Sequence, residues 1–297
     1  MNKKWKERIR AFSDERWAIG VIDTPIEQIV AGEPVTVQWV RDRKRNRWFA
    51  DPFILEASDE TLVFLAEEMY YPRGVKLGRI SRVTVDRRRM RVSQVDCLLE
   101  LSTHLSFPAY YREGDEVLVY PENSASGHLT LYRYDVAAGK LEPLGVLCDD
   151  PVADAIITTI DGQRYMMATR RPSVNGDTLL IYRWDEAQQR FVDPTSVKFD
   201  ERVARMAGNL FTVDGQLIRP TQECNVQYGH AVTLQRVSHE GDQWAFTELR
   251  RLYSTHPRLR VGSHTFNYDP VSGLTATDAL GFDRMWFRRL LRLFHLM

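Results

Sequence analysis

A repeated hairpin pattern is the feature of this sequence that most limits its fold. Each repeat runs from a small or polar stretch into a short apolar strand, an acidic or glycine-containing turn and a second apolar strand. The five repeats are Trp48–Glu68, His104–Glu122, Pro151–Thr169, Arg205–Glu223 and Gly262–Asp278. Equivalent points such as Pro52 and Pro108 follow one another at intervals of about 50 residues, which is typical of the blades of a β-propeller.

Further strand-like segments lie between the hairpins and complete the predicted blades. Gly78–Val85 and Leu129–Asp135 alternate apolar and polar residues, as half-buried strands do. The sequence therefore predicts an all-β fold, a five-bladed β-propeller over residues 48–281, with a leader over 1–47 that packs on the propeller. The alternatives are a β-sandwich or two unrelated β domains.

The C-terminal segment 282–297 has a different pattern from the blades. Met285, Trp286 and Leu290 would share one face of a helix, flanked by arginines such as Arg288. An amphipathic C-terminal helix of this kind would either dock on the propeller or on a second subunit, or lie on an anionic membrane surface.

Composition narrows the class of protein. The 297 residues carry 40 Lys+Arg and 40 Asp+Glu, and a net charge of zero argues against a nucleic-acid partner.

The N-terminus lacks the apolar core of a signal peptide, so we expect a cytoplasmic protein, with peripheral membrane contact through the tail as the alternative. Cys97, Cys148 and Cys224 are spaced too widely for a zinc motif, and no nucleotide-binding motif occurs, so no metal or cofactor is expected.

Polar residues at the start of the repeats indicate a site. The first strand of each propeller blade lines the central channel, so equivalent positions converge on one axis. Near these starts lie Asp51, His104, Asp154, Arg205 and His264. The second strands end in further hydrogen-bond acceptors, namely Glu67, Glu68, Glu122, Gln222, Glu223 and Asp278. Together they predict an axial ligand pocket, the alternative being that single carboxylates such as Asp51 only cap blade turns.

A dense polar group follows in the fourth repeat. It contains Arg219, Gln222, Tyr228 and His230. A guanidinium fork suits a phosphate or a carboxylate, so Arg205 and Arg219 would hold an anionic group on the ligand; salt bridges to the ring carboxylates are the alternative.

Short motifs in this order resemble the propeller domain found at the N-terminus of glucosamine inositolphosphorylceramide transferases. The motifs are Trp17-Ala18-Ile19-Gly20, Phe49-Ala50-Asp51-Pro52-Phe53, His104-Leu105-Ser106-Phe107-Pro108, Arg219-Pro220-Thr221-Gln222-Glu223-Cys224, Tyr228-Gly229-His230-Ala231-Val232 and Ser263-His264-Thr265. The resemblance covers residues 17–280. It implies a carbohydrate-directed propeller, related in fold to the five-bladed glycoside hydrolases of family 43, in surface polysaccharide or glycolipid metabolism.

The resemblance to the hydrolases also implies roles for the axial residues. Asp51 matches their base and Asp154 their orienting carboxylate. Their acid is a glutamate on the innermost strand of a later blade, where this sequence has Arg205, so Glu122 or Glu223 would have to act from a second strand. His104, Arg205, Arg219, Gln222, Tyr228 and His264 would position the sugar or sugar phosphate.

Three functions remain open at this stage. The first is an enzyme acting on a glycosidic or glycosyl-phosphate bond. The second is a non-catalytic glycan-binding propeller that is accessory to a glycosyltransferase. The third is a protein-interaction propeller, which fold alone does not exclude.

Overall fold

The computed structural model describes residues 15–44, 46–70, 77–241 and 243–282. These residues form five separate four-stranded antiparallel sheets. The predicted all-β, five-bladed β-propeller is thus confirmed. Among the described residues the helical structure consists of α1 (Ile26–Ala31) and a short 3-10 turn (Ser124–Ser126).

Four blades are continuous in the chain. The first comprises β3 (Arg47–Ala57), β4 (Thr61–Tyr70), β5 (Leu77–Asp86) and β6 (Arg91–Leu99). The second comprises β7 (Tyr110–Glu113), β8 (Glu116–Val119), β9 (Leu129–Asp135) and β10 (Lys140–Cys148). The third comprises β11 (Val152–Ile160), β12 (Gln163–Arg170), β13 (Thr178–Asp185) and β14 (Arg190–Lys198). The fourth comprises β15 (Phe211–Val213), β16 (Gln216–Glu223), β17 (Ala231–Glu240) and β18 (Gln243–Leu252).

The fifth blade joins the two ends of the described chain. Its inner strands are β19 (Phe266–Asp269) and β20 (Leu274–Phe282), and its outer strands are β1 (Glu15–Ile22) and β2 (Val37–Trp39). Strand β1 pairs with β20 over its whole length, from Glu15 opposite Phe282 to Ile22 opposite Thr275. Residues 15–22 and 37–39 of the predicted leader therefore lie within the propeller instead of packing on it.

The sequence of β1 explains this placement. Trp17, Ile19 and Val21 alternate along the strand and are all buried. Ile19 and Val21 pack in one core cluster with Phe64 of the first blade and Leu274 of the fifth. Without β1, the edge of β20 would present unpaired backbone groups and uncovered apolar side chains, so the strand closes both the sheet and the ring.

Two further expectations concern the C-terminal segment and membranes. The predicted amphipathic helix over 282–297 lies outside the described residues, apart from Phe282 at the end of β20. Within the described ranges, no helix is long and apolar enough to cross a membrane.

Ile19→Ala tests whether β1 is part of the core. The side chain is 2% exposed, so its truncation should lower the free energy of unfolding by about 2–5 kcal/mol. Chemical denaturation of the variant and the wild type measures this. Val136→Ala, at a position 67% exposed, is the control and should change it by less than about 0.5 kcal/mol. Equal stability of both variants would contradict the role of β1.

Candidate functional site

Two aspartates occupy the same place in the first and third blades. Asp51 in β3 and Asp154 in β11 each lie where the pairing with the second strand shifts register. Their φ angles are 50° and 46°, in the left-handed region that non-glycine residues seldom adopt. Such a bulge changes the direction of a side chain, and both carboxylates are directed to the propeller axis, where they are almost fully buried.

Asp51 belongs to a network with the fifth blade. His264 Nδ1 lies 2.6 Å from an oxygen of Asp278, and its Nε2 lies 3.5 Å from Asp51 Oδ1. The Thr265 hydroxyl lies 3.1 Å from Asp51 Oδ1 and 2.8 Å from Asp278 Oδ2. The other oxygen of Asp51 accepts the Phe107 backbone N–H at 3.1 Å. The imidazole of His264 is therefore held between two carboxylates.

Asp154 belongs to a second network, centred on Arg205. Arg205 Nε donates to Asp154 Oδ2 at 2.6 Å and a terminal nitrogen donates to Oδ1 at 3.1 Å. The same guanidinium reaches Glu122 at 3.2 Å and Asn175 at 2.7 Å. Gln222 adds an amide hydrogen bond to Asp154 at 2.5 Å. Each nitrogen of the Arg205 guanidinium therefore donates to an acceptor within the protein.

The protonation of these groups follows from their surroundings. Burial raises the pKa of Asp51 to about 6 against the opposing effect of the His264 charge. Burial likewise raises the pKa of Glu122 to about 8. Although burial also disfavours the charged form of Asp154, the Arg205 guanidinium holds the pKa of that carboxyl below its ordinary value.

His264 is the second cation of the axis. Burial alone would favour its neutral form, but the carboxylates of Asp278 and Asp51 raise the pKa of His264 to about 9. Asp51, His264 and Asp278 also offer ligand atoms within 4.8 Å of one another, as a metal site would. The 2.6 Å contact between His264 and Asp278 fits an imidazolium that donates its proton. Hydrogen bonding therefore explains why these three residues lie together.

A cleft of about 220 Å³ opens beside the two networks. It is lined by Glu15, Trp17, Trp48, Glu67, Met69, His104, Tyr228 and His264. The ring of Trp17 stacks on His264, with centroids 3.9 Å apart, and Tyr228 meets both rings edge-on. Aromatic rings and a few polar groups in a concave site are typical of small-ligand pockets.

Glu67 and His104 are the polar pair inside the cleft. His104 Nδ1 accepts the backbone N–H of Gly78 at 3.0 Å, so the neutral ring carries its proton on Nε2. That nitrogen lies 3.4 Å from Glu67 Oε1. Burial, and then the charges of Asp51 and Glu122, raise the pKa of Glu67 well above its ordinary range.

Two of the predicted site residues lie elsewhere. Glu223 contacts His230 Nδ1 at 2.5 Å and the Asn225 backbone N–H at 2.6 Å. Arg219 is fully buried within the fourth blade, where it donates to Gln235 at 2.8 Å. The structure brings the other predicted residues to the axis or the cleft: Asp51, Glu122, Asp154, Arg205, Gln222, His104, Tyr228 and His264.

Sequence reasoning gave no specific role to four residues that shape the site. Glu67 and Asp278 belong only to the predicted general ring of acceptors, and each lies within the second strand of its blade. Trp17 occurs only in a motif of the sequence analysis, and Trp48 only as the first residue of a repeat. In the sequence, aromatic residues next to the axial aspartates are the feature that could have indicated the cleft.

Comparison with protein families confirms the resemblance. The family model described as "Glucosamine inositolphosphorylceramide transferase 1, N-terminal" matches residues 28–257. The glucosamine inositolphosphorylceramide transferase 1 of Oryza sativa subsp. indica is 28% identical over 202 residues, which are 65% of this chain and 26% of the relative. The Arabidopsis thaliana protein of the same name is 22% identical over 204 residues, with the same coverage. The chain thus spans about a quarter of the length of these relatives.

Solved structures share the fold. A GH43_1 enzyme from Xanthomonas citri superposes with a TM-score of 0.53 at 10% identity, covering 93% of this chain and 92% of that one. A GH43 β-xylosidase/α-arabinofuranosidase from a compost metagenome gives a TM-score of 0.53 at 12% identity, covering 79% of this chain and 90% of that one. At these identities the likeness is one of fold.

Glu122→Gln tests the protonation of the axis. The folded-state pKa of about 8 exceeds the ordinary 4.5, so the native state binds more protons than the unfolded state within this range. The free energy of unfolding of the wild type should therefore fall as the pH rises from about 5 to about 8. The amide mimics the protonated acid, so the variant should match the wild type near pH 5 and exceed it by about 1 kcal/mol or more at pH 8. Chemical denaturation at both pH values measures this. If the free energy of unfolding of the variant differs from that of the wild type by the same amount at pH 5 and at pH 8, the prediction is wrong.

Proposed function

The chain belongs to the family of the glucosamine inositolphosphorylceramide transferase N-terminal domain, and we propose that its propeller is a carbohydrate-binding module whose binding site is the axial cleft. The observation that carries the proposal is the combination of aromatic rings with a buried carboxyl in one cavity. Tyr228, which is 38% exposed, offers an apolar surface on which the C–H face of a sugar can stack, and the buried Trp17 and Trp48 line the same cleft. Glu67 and His104 offer partners for its hydroxyl groups.

The state of the axial carboxyls favours binding over cleavage. Glycoside hydrolysis needs one carboxylic acid and one carboxylate on either side of the scissile bond. Here Asp154 and Glu122 are both bound to Arg205, and Glu223 is bound to His230. The carboxyl groups that would perform the acid and orienting steps are therefore held by Arg205 or His230 within the protein.

A glycosidic reaction is the second candidate, and one pair of residues favours it. Glu67 lines the cleft, and burial together with the charge of Asp51 raises the pKa of its carboxyl group, as suits a general acid. Glu67 would protonate the leaving group, and Asp51 would act as base. Against this, Asp51 already accepts hydrogen bonds on both oxygens and is almost fully buried.

The length of the relatives supports a proposal for the partner of the module. They are named as transferases, and this chain matches 26% of their length. This supports a role as an accessory to a glycosyltransferase in surface polysaccharide or glycolipid metabolism. A cytoplasmic location and membrane contact through residues 282–297 stay predictions.

Tyr228→Ala tests the cleft as the binding site. The side chain is 38% exposed, so its loss removes a stacking surface without opening the core. We expect sugar affinity, measured by ligand-observed NMR against a panel of monosaccharides, to fall by about tenfold. Tyr253→Ala, which removes a tyrosine that is 56% exposed outside the cleft, is the matched control. Unchanged binding in the Tyr228 variant would place the site elsewhere.

Asp51→Asn separates binding from catalysis. The wild type should release no nitrophenol from a panel of nitrophenyl glycosides above the blank rate, because its acid and orienting carboxyl groups are held by Arg205 and His230. The variant should bind sugars as the wild type does, provided that its fold is intact by circular dichroism. Release that the wild type catalyses and Asp51→Asn abolishes would favour the enzymatic alternative.

A further inference from the structure

A second cavity, here called the interblade pocket, lies between the fourth and fifth blades. Its volume is about 250 Å³, and among the described residues it shares no lining side chain with the axial cleft. An apolar cavity of about 150 Å³ admits a benzene ring, so this space suffices for a ring with a short substituent. Its walls are mostly apolar and include Ile22, Val37, Trp39, Val232, Leu252 and Phe266.

The short outer strand of the fifth blade explains why the pocket exists. Strand β2 has three residues, whereas the outer strands of the other four blades have nine or ten. It therefore covers only part of the fourth blade, and Val37 of β2 and Leu252 of β18 stay half-buried. Packed interiors leave few spaces larger than a water molecule, and apolar walls offer water no hydrogen bond, so the pocket suits an apolar group.

Arg250 is a charged residue in this wall. In the pairing of β17 with β18, Arg250 lies opposite Leu234, and Leu252 lies opposite Val232. Opposite residues share a face of the sheet, and Val232 and Leu234 pack in the core cluster between the two blades, so Arg250 faces the fifth blade. Its Nη1 donates to the backbone oxygen of Ile29 at 2.5 Å.

The rest of the Arg250 guanidinium is left open toward the pocket. Its Nε and its second terminal nitrogen form no hydrogen bond, and no carboxylate of the described residues pairs with it. The adjacent Arg251 differs, because it pairs with Glu201 and Glu248. Two free donors on one side of a guanidinium match the two oxygens of a carboxylate, and one positive charge matches one negative charge.

From these observations we propose that the interblade pocket binds a small carboxylic acid with an apolar body, whose carboxylate pairs with Arg250 and whose body fills the gap between Val37 and Leu252. The inference goes beyond the carbohydrate-binding function, since it assigns a second site to a different class of ligand. The concave shape and the volume suit a small molecule and not a folded protein partner, which would cover about 800 Å² on each side.

Three ligands test the proposal on the wild type. 3-Phenylpropanoate carries both parts, 3-phenylpropanamide replaces the carboxylate by a neutral group of similar shape, and acetate lacks the apolar body. In ligand-observed NMR titrations at pH 7, 3-phenylpropanoate should bind at least about tenfold more tightly than the amide, as expected for a charge-assisted hydrogen bond. It should also bind at least about tenfold more tightly than acetate, because it buries an aromatic ring.

Arg250→Gln then assigns the preference for the anion to one side chain. Glutamine carries no charge, so the affinity for the amide should stay within about twofold while the advantage of 3-phenylpropanoate is lost. Arg89→Gln removes an exposed arginine from the first blade and is the matched control, which should keep the advantage. Circular dichroism of both variants checks that the fold is intact.

Each remaining outcome overturns a stated part of the proposal. Equal binding of 3-phenylpropanoate and its amide overturns the anion site, and equal binding of acetate overturns the role of the apolar walls. An advantage that survives in Arg250→Gln overturns the role of Arg250. Tyr228→Ala should leave the affinity for 3-phenylpropanoate unchanged, and a loss there would place this ligand in the axial cleft. If neither phenyl compound binds, the inference fails, whereas the proposed function is decided separately by the sugar titrations.

Discussion

The blades of this propeller are joined at the axis by carboxyl groups that accept backbone N–H groups from the neighbouring blade. Asp278 of the fifth blade accepts the N–H of Asp51 at 3.4 Å, and Asp51 accepts that of Phe107 at 3.1 Å. Glu122 of the second blade accepts the N–H of Asp154 at 3.3 Å. A buried carboxylate is tolerated only where such donors or a cation compensate for lost hydration, so the left-handed bulges and the axial acids depend on each other.

This arrangement limits the chemistry of the axis. The acids that could cleave a glycosidic bond are the same acids that join the blades, and Arg205 engages two of them at once. A fork with two charge-assisted hydrogen bonds to Asp154 is among the strongest side-chain contacts, so that carboxylate is a poor candidate for proton transfer. Glu67 lies outside these pairs and lines the cleft, and its Oε1 has no hydrogen-bond partner among the described residues.

The sequence predicted the five blades and the convergence of Asp51, Asp154 and His264 because these depend on the repeat alone. It did not place β1 in the fifth blade, because that strand pairs with β20 from the opposite end of the chain and no local turn joins them. Neighbouring residues of a strand face opposite sides, so Gln222 and Glu223 could not both reach the axis. The cleft combines side chains from distant blades, which local patterns do not bring together.

The pairing of β1 with β20 both closes the ring of blades and forms the cleft. Trp17 enters the site only when β1 pairs with β20, and its ring then stacks on His264 at 3.9 Å. His264 in turn depends on Asp278, a residue of β20 itself. A ligand in the cleft contacts a surface that exists only in the closed ring, so its binding energy adds to the stability of that closure. The strand that completes the fold is therefore also the strand that completes the cleft.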